Sequence, residues 1–185
     1  MTAAQDLNQT ISRIVSILFA EELPFHLTGG LASSFYGEPR FTQDIDIVIR
    51  ISDGKPLQNL LTKMSPDFLV DAEAAENAVL SRGIFQALDE QTMIKVDFHI
   101  GEAIHGELER SKQEEILPGI IVPLVSKEDA ILSKLLWIKK GSHKSRQDVK
   151  MMLTRTGAVD FHYLNSQAER LGVSELLLEL RSERE

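Results

Sequence analysis

Apolar residues recur at spacings of three and four from Leu7 through Ile11, Ile14, Val15, Leu18 and Phe19, which predicts an amphipathic helix ending near Leu23 and Pro24. The period then changes. Phe25-His26-Leu27-Thr28 reads as a short strand, Gly29-Gly30 breaks it, and residues 31–36 begin a second helix that Gly37 and Pro39 stop. Residues 44–49 alternate with period two, isoleucines on one face and aspartates on the other. Helices are predicted over 57–64 and 73–80. Residues 83–88 and 93–100 are predicted as paired strands around an Asp89-Glu90-Gln91 turn that lacks the usual glycine. On the second of these, Lys95, Asp97 and His99 lie opposite an apolar face. Residues 101–119 read as a polar loop, and 120–124 as a short strand whose Pro123 predicts a sheet edge. Helices follow over 126–139, 143–153, 161–171 and 173–181.

Strands come early and helices late, so the predicted class is α+β (α/β): a mixed β-sheet core flanked by helices, with a C-terminal helical layer. The expected division is an α/β core over residues 1–125 and a helical subdomain over 126–185 packed on it as one compact unit. The absence of cysteine excludes disulfide frameworks, thiolate metal sites and thiol nucleophiles. Uncharged runs such as 14–20 are too short to span a bilayer and no signal peptide is evident, so the expected compartment is the cytoplasm, with no membrane partner. The net charge of -8 argues against a whole-surface attraction for nucleic acid. Its distribution is uneven: residues 127–159 carry +5 while the three flanking segments are all acidic. That stretch reads either as a solvated helix face or as a local site for phosphates.

Several motifs are missing. There is no Gly-x-x-x-x-Gly-Lys-Ser/Thr loop and no Gly-x-Gly-x-x-Gly fingerprint. A His-x-x-x-His pair and a Gly-x-Ser-x-Gly elbow are also lacking, which removes the main support for zincin proteases and the common serine hydrolases. What remains is Gly29-Gly30, the Asp44-Ile45-Asp46 strand and Asp97. On a strand Asp44 and Asp46 point the same way about 6 to 7 Å apart, which suits cations between and beside them. If a neighbouring strand adds Asp97 on that face, three hard oxygen ligands converge as magnesium prefers, with phosphates and water completing its shell. Two such ions about 3.5 to 4 Å apart assist an in-line displacement. The glycine pair lets backbone approach phosphates, and the helix behind it presents free N–H groups. Ser33 and Ser34 in its first turn add hydroxyls or cap it. Arg40 and Thr42 lie on the approach to Asp44, and among the histidines only His99 is placed beside the site. Lys134 is anomalous, because its one-turn neighbours Ala130, Ile131, Trp137 and Ile138 are apolar. Its side chain either runs past Trp137 to water or brings an ammonium to phosphates or acceptor. Arg146 and Asp148 read as an exposed helix pair.

Together these residues resemble the nucleotidyltransferase superfamily with the DNA polymerase beta-like fold. Its pattern is a Gly-Gly or Gly-Ser pair opening a helix, an Asp-x-Asp strand, and a third Asp on a later strand, here LTGGLASSFYGEPRFTQDIDIVI and MIKVDFHI. The stretch from Arg40 to Asp46 is similar to the small bacterial members related to AbiEii-type toxins, in which the Arg-x-Thr-x-Asp-x-Asp spelling is common. Lys134 and Asp148 match a lysine and an aspartate of the toxin-like members, whereas Gly30 stands where many relatives have serine. The resemblance implies an Mg²⁺-dependent enzyme that moves an NMP unit from an NTP to a hydroxyl or phosphate acceptor and releases pyrophosphate. It makes Asp44, Asp46 and Asp97 the catalytic residues and the ligands of two Mg²⁺ ions. It makes Gly29, Gly30, Ser33, Arg40, Thr42 and Lys134 the binding residues for a nucleotide such as ATP. The acceptor it implies is a tRNA end, a protein side chain or a small molecule, and the partner a cognate antitoxin or a second copy of the chain. The alternative is a non-catalytic member working through protein contacts, such as a component of a toxin-antitoxin pair.

Overall fold

The computed structural model describes residues 3–40, 42–155 and 157–183, so Phe41 of the Arg40 to Asp46 stretch lies outside them. The N-terminal periodicity forms α1 (Ala3–Ala20), which sends Leu7, Ile11, Ile14, Val15 and Leu18 into the core. Phe19, on the flank of that face, stays half-exposed with its ring edge against Phe25. There follow β1 (Phe25–Leu27), α2 (Gly29–Tyr36), β2 (Asp44–Ile49), α3 (Lys55–Met64), β3 (Phe68–Val70) and α4 (Ala72–Ser81). The hairpin of β4 (Ile84–Asp89) and β5 (Lys95–Ile100) leads to α5 (Glu107–Arg110), β6 (Lys112–Leu117) and β7 (Ile120–Leu124). Helices α6 (Lys127–Lys139), α7 (Lys144–Thr154), α8 (Phe161–Leu171) and α9 (Ser174–Ser182) complete the described chain.

The strands form one mixed sheet in the order β3-β4-β5-β2-β1-β7-β6. At its centre β2 runs antiparallel to β1 and parallel to β5. The alternation seen in the sequence is realised here: Ile45, Ile47 and Ile49 are buried on one face together with Val96 and Phe98, and Phe98 stacks on Phe85 of β4 with ring centroids 4.7 Å apart. The same core extends to Leu177 and Leu180 of α9. The fold is thus α+β, with helices against a mixed sheet and a helical layer at the end of the chain. Among the described residues no helix is long and apolar enough to cross a membrane.

Three expectations need correction. Residues 101–119 are not all loop, since they hold α5 and the strand β6. The sequence of β6, KQEEIL, is polar because this strand is the sheet edge and pairs only with β7. It follows that β7 is not the edge, despite Pro123. The amide of Val125 donates to the carbonyl of Leu27, so the Pro123 nitrogen, two residues back, faces the same side and ends the pairing with β1 at Leu27↔Leu124. The third correction is β3, which lies between the predicted helices and pairs with β4 at the opposite edge.

The hairpin turn without glycine is held by a side chain instead. Asp89 accepts the amides of Gln91 (3.0 Å) and Thr92 (3.2 Å), the hydroxyl of Thr10 (2.8 Å) and the guanidinium of Arg13 (2.6 Å). Burial alone would raise its carboxyl pKa, but these donors outweigh burial and hold it below the ordinary aspartate value. Asp89→Ala is expected to cost about 3 kcal/mol in urea denaturation at pH 7, because the Arg13 charge and two turn amides lose their acceptor. A carboxyl with a depressed folded pKa stabilises above its unfolded pKa and loses that contribution as pH falls through the folded one. The gap between wild type and variant should therefore narrow below about pH 4, and a gap independent of pH would show that the carboxylate charge is not what holds the turn.

Candidate active site

The site is built where β1 gives way to α2 beside β2. Thr28 donates its amide to the Asp46 carbonyl (2.9 Å), and the chain turns at once into the helix at Gly29, which has φ +60°. A Cβ on Gly29 would lie 1.8 Å from Asp46 Oδ2, and one on Gly30 would lie 2.5 Å from Thr42 Oγ1. The glycine pair is therefore required by close approach as well as by backbone conformation. The Gly30 amide points at Asp46 Oδ2 (3.4 Å), so the free end of α2 faces the second aspartate of the strand. Ser33 is buried and its hydroxyl donates to the Gly29 carbonyl (2.9 Å), while Ser34 donates to the Arg40 carbonyl (3.0 Å). Neither serine lines the cleft described below.

Parallel pairing of β2 with β5 sets Asp44 opposite Lys95, Asp46 opposite Asp97, and Val48 opposite His99. All three aspartates thus share one face. They do not close around a single point: among the described residues no three acidic or imidazole side chains are grouped to hold a metal ion. The reason is visible in the contacts. The Lys95 ammonium stands between Asp97 Oδ2 (3.2 Å) and Asp44 Oδ1 (3.7 Å), and His99 Nε2 donates to Asp46 Oδ1 (3.2 Å). Burial would lower the Lys95 pKa, yet Asp97 and Asp44 raise it. Burial would raise that of Asp46, but His99, the Gly30 amide and the Lys134 charge bring it down. The donor set nonetheless suits a hard divalent cation. Its ligand atoms are carboxylate oxygens, and Asp97 Oδ1 is buried with no hydrogen-bond partner.

The facing wall comes from α6 and α7. Arg40 grips Asp148 with two parallel bonds, Nε to Oδ1 (3.2 Å) and Nη2 to Oδ2 (3.1 Å), and Lys134 Nζ lies 3.0 Å from the same Oδ2. Burial would raise the Asp148 carboxyl, and the two cations more than reverse this. The expected exposed pair of Arg146 and Asp148 is not formed. Arg146 turns outward to Glu179 and Glu183, whereas Asp148 is only 8% exposed. Helix phase explains the split, since residues two apart on α7 point nearly opposite ways. Lys134 does not run past Trp137 to water; its side chain is 14% exposed and turned inward. Between the two walls lies a cleft of about 460 Å³, lined by Gly29, Gly30, Asp44, Asp46, Lys134 and Trp137 among others. Arg40, Thr42 and His99 also reach it. Lys95 was placed on the aspartate face by the sequence, but its role as counter-ion was not legible there, nor was that of Asp148 as a shared anion.

A sequence model of the family described as "Nucleotidyl transferase AbiEii toxin, Type IV TA system" matches residues 15–164, which contain every residue of this cleft named above. The chain belongs to the AbiEii nucleotidyltransferase family. No curated protein matches this AbiEii-family chain in sequence. Among solved structures it is similar to the antibiotic-resistance factor ANT(2'')-Ia in solution, with a TM-score of 0.61, 16% identity and full coverage of both chains. A crystal structure of ANT(2'')-Ia with adenylyl-2''-tobramycin gives a TM-score of 0.58 at 18% identity, covering 96% of this chain and 98% of that one. An antigenic nucleotidyltransferase-like protein from Paracoccidioides brasiliensis gives 0.57 at 19% identity, covering 96% and 93%. At such identities these neighbours speak to the fold, which they share with the AbiEii-family chain over nearly its whole length.

Two substitutions test how the site is held together. Gly29→Ala is expected to lower stability by about 2 kcal/mol or more, from a left-handed non-glycine residue plus the displaced Asp46 carboxylate. Unchanged urea denaturation would contradict the close packing. Asp148→Ala leaves Arg40 and Lys134 without their common anion and should cost about 2 kcal/mol, less than a fully enclosed pair because Arg40 is partly exposed. A cost no greater than that of removing an exposed surface carboxylate would mean that Asp148 does not organise this wall.

Proposed function

We propose that this nucleotidyltransferase moves an NMP unit from an NTP to a hydroxyl or phosphate acceptor, with magnesium held by Asp44, Asp46 and Asp97. The observation carrying this reading is the register that sets Asp97 beside Asp46, which with Asp44 lines the floor of a cleft whose other wall is cationic, while Asp97 lies just behind that lining. In this reading residues 1–125 supply the carboxylates, the glycine turn and Arg40, and residues 126–185 supply Lys134 and Asp148 of the facing wall. The Gly29-Gly30 turn and the start of α2 hold the outer phosphates, together with Lys134 and Arg40. Thr42 Oγ1 stands where a side chain at position 30 would project, and it offers the hydroxyl that a glycine cannot. Asp97 receives the acceptor proton as the acceptor oxygen bonds to the α-phosphorus; the bond from that phosphorus to the bridging oxygen breaks, and pyrophosphate leaves. Bound magnesium would offset the phosphate charge in that displacement.

The acceptor to test first is a small hydroxylic molecule, because the ANT(2'')-Ia neighbour, of matching length, is recorded with adenylyl-2''-tobramycin. A tRNA end and a protein side chain are the other acceptor classes, and a cognate antitoxin is the partner that the family description suggests. The deciding experiment incubates the protein with each α-labelled NTP and Mg²⁺ in the presence of aminoglycosides, tRNA or cell protein. Label should enter one pool. Asp44→Asn and Asp46→Asn should each abolish transfer, and Asp97→Asn should bind nucleotide yet fail to transfer it. Lys134→Met should lower turnover at least tenfold, as expected for loss of a charge-assisted contact worth roughly 1.5 to 3 kcal/mol. Full activity in Asp46→Asn would remove the carboxylate face from the mechanism, and pyrophosphate release with none of the three pools labelled would send the search to a different acceptor.

A further inference from the structure

The outer part of the cleft carries a feature that the phosphate chemistry does not use. Trp137 sits on α6 three residues beyond Lys134, so both side chains project from one face about 4.5 Å apart along the axis, and both line the cleft. It is the chain's single tryptophan, it is 42% exposed, and it lies outside the hydrophobic core. Apart from the His99 imidazole beside Asp46, it is the aromatic ring of the cleft lining among the described residues. Lys140 Nζ rests 5.2 Å from the indole centroid, and Ser142 and Ser145, whose hydroxyls are 2.9 Å apart, also line the cleft. A flat apolar face kept in water beside cations and hydroxyl groups is what a planar heterocycle attached to phosphates would meet.

We propose that Trp137 is the platform on which the base of the bound nucleoside triphosphate stacks. This rests on the proposed function and extends it: Lys134 takes the charged end of the nucleotide, and the indole one turn further out takes its aromatic end. An exposed cation–π contact is weaker than base stacking, so Lys140 gives way to the base or brackets it against the ring. The cleft has the size expected for a ligand of this kind.

The single tryptophan makes the test direct. Each of the four NTPs is titrated with Mg²⁺ into the full chain, following indole fluorescence and, in parallel, heat. At least one NTP should bind, with a fluorescence change that saturates over the same concentration range as the calorimetric isotherm. In Trp137→Ala its affinity should fall about tenfold or more, with Trp137→Phe recovering most of the loss. Thermal melting of both variants should stay near wild type, because the ring is outside the core. If an NTP binds the wild type and Trp137→Ala binds it equally well, the platform is refuted while the proposed function stands. Unchanged nucleotide affinity with lost transfer would assign the ring to the acceptor and likewise refute it. If none of the four NTPs binds the wild type, the proposed function fails, and this inference falls with it.

Discussion

The contact between the Asp46 carboxylate and the backbone of Gly29 is the constraint around which the rest of the site is arranged. It leaves no room for a side chain at position 29, it directs the Gly30 amide at the same carboxylate, and the Asp46 carbonyl takes the Thr28 amide at the end of β1. A helix start, a strand end and an acidic side chain are thereby locked within one hydrogen-bond shell. Because β2 is a central strand paired on both sides, the lock is transmitted to β5, and the third aspartate has no freedom of register. The acidic floor is positioned by the sheet itself, which favours precise placement over the mobility that loops bring.

Charge is balanced in two separate groups, one on the carboxylate face of the sheet and one on the facing wall. On the floor, Lys95 and His99 face the aspartates; on the wall, Asp148 faces Arg40 and Lys134. Each group keeps a compensating partner beside its partly buried charges, which limits the cost of holding them away from water. The arrangement also explains how a chain with net charge -8 can carry a local basic surface. Apart from Arg40, the basic residues are concentrated in residues 127–159, and the excess of acid lies elsewhere.

Features carried by local periodicity were legible in the sequence, and features carried by distant pairing were not. The alternation of Ile45, Ile47 and Ile49 with the aspartates specified both the strand and its polar face, because a pleated strand between helices must bury one side. The glycine pair was readable for a similar reason, since few other contexts need two glycines between a strand and a helix. The strand β6 escaped notice because an edge strand with charged side chains has no apolar period to show. Asp148 was misplaced because its partners are Arg40, 108 positions earlier, and Lys134 on another helix; on its own helix it resembles a surface residue. Pro123 misled in the opposite way, as the rule that sends proline to an edge concerns hydrogen bonding, and β7 meets that condition by breaking off its ladder with β1.

The long reach from Arg40 to Asp148 has a consequence for a chain made from its N-terminus. The glycine turn and the Asp44 to Ile49 strand leave the ribosome well before Lys134, and Asp148 is later still. From the synthesis of Asp97 to that of Asp148 the acidic floor therefore exists without its complete cationic wall, and until then Arg40 lacks Asp148. Contacts of such sequence separation are the slow ones to form, so the wall closes onto a sheet already built. Activity should consequently appear late and all at once, and a nascent or truncated chain ending before α7 would carry every aspartate of the floor and remain inert.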